Sequence, residues 1–443
     1  MNRIYLLSLG CPRNLVDSEI LAGHLENAGF EMVDDLWDAD IGIVNTCGFI
    51  QEAKEEAINI ILRLTDLKKE KKIKKLIVCG CLAQRYPSEL LTEIKEIDAV
   101  FGTSDILKIP QKILTVGSGK KLKEVTAIPS FLYDHSHTRK RLTPAHYAYV
   151  KIQEGCSNRC SYCVIPDLRG PLRSRDIGSL EKEIEALTID KNLKELILIG
   201  QDTTSFGLDR KENSELSDLL EKVSFFMKQG WVRVLYTHPA HFTEKLIDVF
   251  AETDNICKYI DLPIQHINTR ILNRMNRNIG RDEISSLITR LRQKIKGVVL
   301  RTSVIVGFPG ETESDFNELL DFLMEVRFDR LGAFIYSKEE ETRAAGFKDQ
   351  VSFGTKKKRF DEIMKLQQEI SYENNLGFIE KKLKVLIEDT VPDDPFCFTG
   401  RSEMDAPEVD GMVYVKGKNL RIGSFVETKI SGIMEYDLIG EAV

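Results

Sequence analysis

The chain has 443 residues, 42% of them apolar and 30% charged, with a net charge of −7. That balance fits a globular protein of two or three domains and argues against a membrane-spanning bundle or a broad cationic nucleic-acid footprint. Nine cysteines and no secretory leader argue against a disulfide scaffold. They favour a cytoplasmic protein with reduced thiols, some of them metal ligands.

Residues 3–9 read as a buried strand that ends at Gly10-Cys11-Pro12, and a helix is predicted over 14–28. A second strand over 40–46 ends at Cys47-Gly48 and is followed by a helix over 51–67. A third strand over 75–80 runs into Cys81. Strands alternating with helices predict a parallel sheet covered on both faces, whose ligands sit beyond the carboxyl ends of the strands. Cys11, Cys47 and Cys81 each follow a strand, so this fold gathers three distant thiols on one sheet edge. Cys79 lies inside its strand, and Cys257 and Cys397 stand alone in apolar surroundings; all three read as packing residues.

Residues 115–145, with Gly117 and Gly119 and the basic run His135-Ser-His-Thr-Arg-Lys-Arg141, read as a solvated connector. Domains are therefore expected over 1–120, 141–375 and 376–443. The central part repeats a βα rhythm, with strands predicted over 147–152, 195–199, 232–236, 259–262, 298–306 and 330–336. Six such units predict an incomplete (β/α)6 barrel with its chemistry at the C-terminal ends of the strands. The loop Cys156-Ser-Asn-Arg-Cys160-Ser-Tyr-Cys163 follows the first of them. Three thiolates spaced three and then two residues apart, with no local fourth, suit an iron–sulfur cluster with one iron left open. A zinc knuckle that borrows a distant fourth ligand is the alternative.

From about residue 376 short strands predicted over 384–387, 411–415, 424–430 and 437–439 suggest a small antiparallel barrel of OB-like size. This segment holds thirteen acids against eight bases, which favours a basic protein partner over nucleic acid. The fold class is thus α/β, with three modules. Gly307-Phe-Pro-Gly310 lacks the Gly-Lys-Ser/Thr of a phosphate loop. His238, His241 and His266 show no metal-ligand spacing, and Arg270, Arg274, Arg277 and Arg281 read as a solvated helix end.

Cys156-x3-Cys160-x2-Cys163, with Tyr162 before the last cysteine, resembles the signature of radical S-adenosylmethionine enzymes. Gly170-Pro-Leu-Arg173, Asp261-Leu-Pro-Ile-Gln265-His266 and Val306-Gly-Phe-Pro-Gly-Glu-Thr312 resemble the methylthiotransferases among them, and the tail resembles their TRAM barrel. Pro12-Arg13, where tRNA-modifying relatives carry Gln-Met, resembles the branch that modifies small-subunit ribosomal protein twelve. The resemblance implies two [4Fe-4S] clusters, one held by Cys156, Cys160 and Cys163 and open to S-adenosylmethionine, the other held by Cys11, Cys47 and Cys81 and carrying the sulfur to be inserted. It implies methylthiolation of an aspartate β-carbon, with tRNA adenosine as the alternative substrate; a non-catalytic iron–sulfur or zinc protein that binds RNA through its tail is the competing reading of a different class. An electron donor such as flavodoxin or ferredoxin is implied, and no membrane partner. Tyr162, Gln201, Asp202 and Arg301 are the implied contacts to S-adenosylmethionine.

Overall fold

The computed structural model describes residues 2–116, 121–210 and 215–443; the expected glycines of the connector, Gly117 and Gly119, lie outside them. Six parallel strands form the first sheet: β1 (Arg3–Ser8), β2 (Glu31–Met32), β3 (Ile41–Thr46), β4 (Lys75–Gly80), β5 (Ala99–Phe101) and β6 (Leu122–Glu124), in the order β2-β1-β3-β4-β5-β6. Helices α1 (Pro12–Asn27), α2 (Gln51–Lys69), α3 (Cys81–Arg85) and α4 (Pro87–Glu93) flank it. β6 carries this sheet past the expected boundary at 120. The connector is also not solvated throughout. The side chain of Arg139 is shielded from solvent, pairing with Glu19 and, at 2.8 Å, with Glu183, and so ties α1 to the central domain.

The central domain follows, with β7 (Tyr147–Lys151), a short hairpin of β8 (Gln153–Glu154) and β9 (Arg173–Ser174), then β10 (Glu195–Ile199), β11 (Trp231–Val234), β12 (Tyr259–Asp261), β13 (Val299–Val306) and β14 (Arg330–Ile335). The six long-range parallel strands form two three-stranded arcs, β11-β10-β7 and β12-β13-β14, joined by a single bridge from Val232 to Ile256. Their inward and outward faces are both apolar, as parallel strands covered by helices require. No helix of the described residues is long and apolar enough to cross a membrane.

The helix Phe353–Leu376 leads into a closed five-stranded barrel of β15 (Lys382–Val391), β16 (Asp394–Ser402), β17 (Val413–Lys416), β18 (Phe425–Ile433) and β19 (Leu438–Ala442). It is not antiparallel throughout, because β17 pairs with β19 in parallel. Strand directions cannot alternate all the way round a ring with an odd number of members, so one parallel pair is unavoidable.

This small barrel caps the N-terminal ends of the central strands. Glu195, at the start of β10, takes Arg401 at 2.6 Å and Arg233 at 2.6 Å. Arg330, at the start of β14, takes Asp405 at 2.6 Å, and Tyr259, at the start of β12, donates to Asp410 at 2.6 Å. The acids of the tail are therefore not all free to attract a basic partner. Glu388, Asp405 and Asp410 are paired internally or with arginines of the central barrel, so the charge count of this segment overstates the field it presents to solvent.

Removing one member of a buried ion pair leaves its partner uncompensated, which costs about 3–5 kcal/mol. Arg401→Met should therefore lower the unfolding midpoint and speed amide exchange across Lys382–Ala442. An unchanged midpoint and exchange pattern would show that the cap is held by apolar packing alone.

Candidate functional site

At the opposite end of the central barrel a cavity of about 290 Å³ is lined by both cysteine trios. Cys11 precedes α1, Cys47 follows β3 and Cys81 opens α3, while Cys156, Cys160 and Cys163 come from the loop after β8. The close approach of the first three loops depends on glycine. A Cβ on Gly10, whose φ is +87°, would lie 2.6 Å from the Cβ of Cys47, and one on Gly48 would lie 2.8 Å from the backbone of Leu82.

A buried ionic network clamps the two domains around the cavity. Lys151 of β7 meets Asp17 of α1 and, at 2.5 Å, Glu154. Arg169 reaches Asp17 at 2.5 Å and also donates to Asn14. Arg13 donates to the Gly200 carbonyl at 2.8 Å and lies over the Tyr236 ring, so a residue of α1 also touches the ends of two barrel strands. Gln201 donates to Glu154 at 2.6 Å, which leaves its carbonyl oxygen turned away from that carboxylate.

Burial raises the thiols of Cys47 and Cys163, and pushes those of Cys81 and Cys156 up to about 11. Cys11 is the exception: burial opposes its ionisation, but Arg13 and Arg169 outweigh it and draw the thiol below its ordinary range. Thiols this buried need a compensating cation to ionise. Three thiolates round a single zinc would lie roughly 3.8 Å apart. Among the described residues, the one group of three ligand atoms all within 4.8 Å of one another belongs to Asp202, His238 and His241, and not to either cysteine trio. The donor set, three thiolates at each trio, suits an iron–sulfur cluster.

Tyr162, Gln201 and Asp202 line the cavity, and Tyr162 packs edge-on against Phe308. Arg301 does not join them. It lies near the start of β13, bound to Asp261 at 2.9 Å and to Asp410 of the small barrel at 3.3 Å, so it belongs to the capped end. The backbone N–H groups of Gly307 and Phe308 are taken by Glu311 at 2.8 and 3.2 Å.

Other lining residues were not legible as site residues in the sequence. Arg277 is buried rather than solvated, with one guanidinium nitrogen 4.0 Å from the sulfur of Cys160. Asp202 gathers Asn158 at 2.7 Å and His241 at 2.8 Å. His238 stacks on His241, and its Nδ1 accepts the Ala240 N–H at 3.2 Å. Burial and the nearby Arg277 push its pKa down to about 2, so the ring is neutral and Nε2 carries the hydrogen. That tautomer is a donor and not a metal ligand. Gln201 Oε1, His238 Nε2 and Arg277 Nε are buried without a protein partner, an acceptor and two donors on residues of one cavity. They fit the ammonium and carboxylate of an amino-acid moiety such as that of S-adenosylmethionine. The signal for His238 is positional, since Thr237-His-Pro-Ala-His241 follows β11 at the active end of the barrel.

The sequence also matches known families. Residues 3–102 match Uncharacterized protein family UPF0004, residues 150–323 the Radical SAM superfamily and residues 379–443 the TRAM domain. The fold resembles that of the radical S-adenosylmethionine methyltransferase TsrM from Kitasatospora setae, at a TM-score of 0.55 and 16% identity over 75% of this chain and 73% of that one. Fold and cysteine loop together define a radical S-adenosylmethionine protein with a TRAM module. The chain is 48% identical to the ribosomal protein uS12 methylthiotransferase RimO of Desulforamulus reducens, over 100% of this chain and 99% of that one. It is 47% identical to RimO of Clostridioides difficile, again over 100% and 99%. The chain belongs to the RimO family of ribosomal protein uS12 methylthiotransferases.

His266, beside the site, accepts the N–H groups of Ile267 at 2.9 Å and Asn268 at 3.0 Å through Nδ1 and is fully buried. Burial pushes its pKa from 6.5 down to about 4, so the unfolded chain binds its proton first as pH falls. Its stabilising effect is complete above pH 6.5 and is lost between about 6.5 and 4. His266→Asn should flatten part of that acid limb in urea titrations; an unaltered limb would assign the loss to other groups.

Proposed function

We propose that this chain is the enzyme that methylthiolates ribosomal protein uS12, replacing a hydrogen on an aspartate β-carbon. The observation that carries the reading is the single cavity lined by both cysteine trios. Cys156, Cys160 and Cys163 would hold a [4Fe-4S] cluster open to S-adenosylmethionine, and Cys11, Cys47 and Cys81 a second cluster. When bound, these groups supply radical chemistry for an unactivated carbon together with the sulfur and methyl group it receives.

The chain's own residues orient and shield that chemistry. Gln201, His238 and Arg277 offer the acceptor and donors that fix an amino-acid moiety, and Asp202 orients the histidine pair through His241. Phe49, Ile165, Tyr236 and Pro263 give the cavity apolar walls, which limit water around a reactive intermediate. Arg13 and Arg169 favour the thiolate of Cys11. No side chain need serve as general acid or base for hydrogen abstraction from carbon. An external one-electron donor of the flavodoxin or ferredoxin kind completes the cycle, in the cytoplasm where uS12 is made.

The anaerobically reconstituted enzyme, given S-adenosylmethionine and reductant, is to be offered uS12 and tRNA side by side. A methylthio mass gain on uS12 is expected; gain on tRNA alone overturns the reading. Replacing Cys156, Cys160 and Cys163 with alanine should abolish 5′-deoxyadenosine formation. Replacing Cys11, Cys47 and Cys81 should remove about half of the bound iron, as one of two cysteine-held clusters requires. Normal cleavage in the first variant, or full iron in the second, would refute the ligand assignment.

A further inference from the structure

The catalytic cavity is small, and the TRAM barrel sits at the other end of the central domain. A protein substrate presenting one side chain to the cavity needs a docking surface on the cavity's own side. Helices α2 and α4 supply the walls of an open groove of about 680 Å³ there. Ile58, Leu90 and Ile94 contribute apolar lining, and Glu55, Glu89, Glu93 and Glu340 contribute acids.

None of these four carboxylates takes part in a salt bridge among the described residues. Lys54, the one cation among the lining residues, is bound to buried Glu339 at 2.8 Å, as is Arg85 at 2.7 Å. The net field of the groove is therefore negative over an apolar lining. Its location is tied to the site by covalent connection. Leu82, another lining residue, directly follows Cys81; α2 begins four residues after Cys47; and Glu340 lies on the segment that leaves the C-terminal end of β14.

We propose that this groove receives a basic, apolar-anchored segment of the ribosomal protein, a docking role that rests on the function proposed above. Ribosomal proteins carry the cationic segments that neutralise RNA phosphates. Unpaired acids on the rim attract such a segment and set its orientation, while the apolar lining takes its anchoring side chains. The segment then enters beside the loops of Cys47 and Cys81, which places a neighbouring residue at the cavity.

The test uses full-length reconstituted enzyme carrying Glu89→Lys and Glu93→Lys, with the Gln pair at the same positions as the milder variant. Iron content and S-adenosylmethionine cleavage without substrate should match the unaltered enzyme, because neither residue touches the cavity. The KM for uS12 should rise about tenfold in the Lys pair and less in the Gln pair, with kcat nearly unchanged and the difference shrinking as salt is raised. A photocrosslinker at Asn59, which also lines the groove, should capture uS12. Methylthiolation of uS12 with an unchanged KM and no crosslink overturns the docking role and leaves the activity standing. Crosslinking of uS12 without its methylthiolation supports the groove and overturns the activity.

Discussion

The contact on which the site depends is the buried pairing of Asp17 with Lys151 and Arg169. Asp17 belongs to α1, Lys151 to the first barrel strand and Arg169 to the short helix after the Cys156–Cys163 loop. Glu154 completes the set, and its carboxyl is drawn well below the usual range: burial opposes ionisation, but Lys151 and Arg169 prevail. Buried charges are costly to desolvate, and an arrangement that leaves one unpaired is costlier still. The two domains can satisfy all four groups only in the docked position, and that position brings the two cysteine trios to one cavity.

The two ends of the central barrel are divided between structure and chemistry. Its N-terminal end is closed by the TRAM module through Glu195, Arg233, Arg330 and Arg401, with Tyr259 and Arg301 meeting Asp410. Its C-terminal end is left to thiols, amides and two histidines. This polarity follows from parallel strands, which place every strand-to-helix loop at one end. A module that seals the other end can carry many charges without entering the reaction.

Within the cavity, close packing and reactivity meet. Gly10 and Gly48 let three separate loops approach until their thiols face one space, and any larger residue at either position would press on a neighbouring loop. The same burial that crowds the thiols raises most of them, so the trios favour ionisation when positive charge arrives with a metal cluster. Arg13 biases Cys11 beforehand.

Much of this was legible along the chain. Alternating strands and helices placed Cys11, Cys47 and Cys81 at strand ends, and the spacing of Cys156, Cys160 and Cys163 made one compact donor set, because both features are local. The five-stranded closure, with its forced parallel pair, was not legible, since β16 carries Pro395 and Gly400 and reads as broken. Arg301 showed its strand but not that the near end of that strand is capped. Nor could the tail's excess of acid reveal that Asp405 and Asp410 meet cations of the barrel. His238 read as a lone histidine and Arg277 as part of a solvated helix end because the cavity that gathers them is assembled from segments far apart in sequence. The sequence by itself determined the chemistry available, six thiols in two trios on a βα framework. Only the tertiary structure decided that the trios share one cavity, because that rests on ion pairs between residues more than a hundred positions apart, whose desolvation is compensated only when the domains dock.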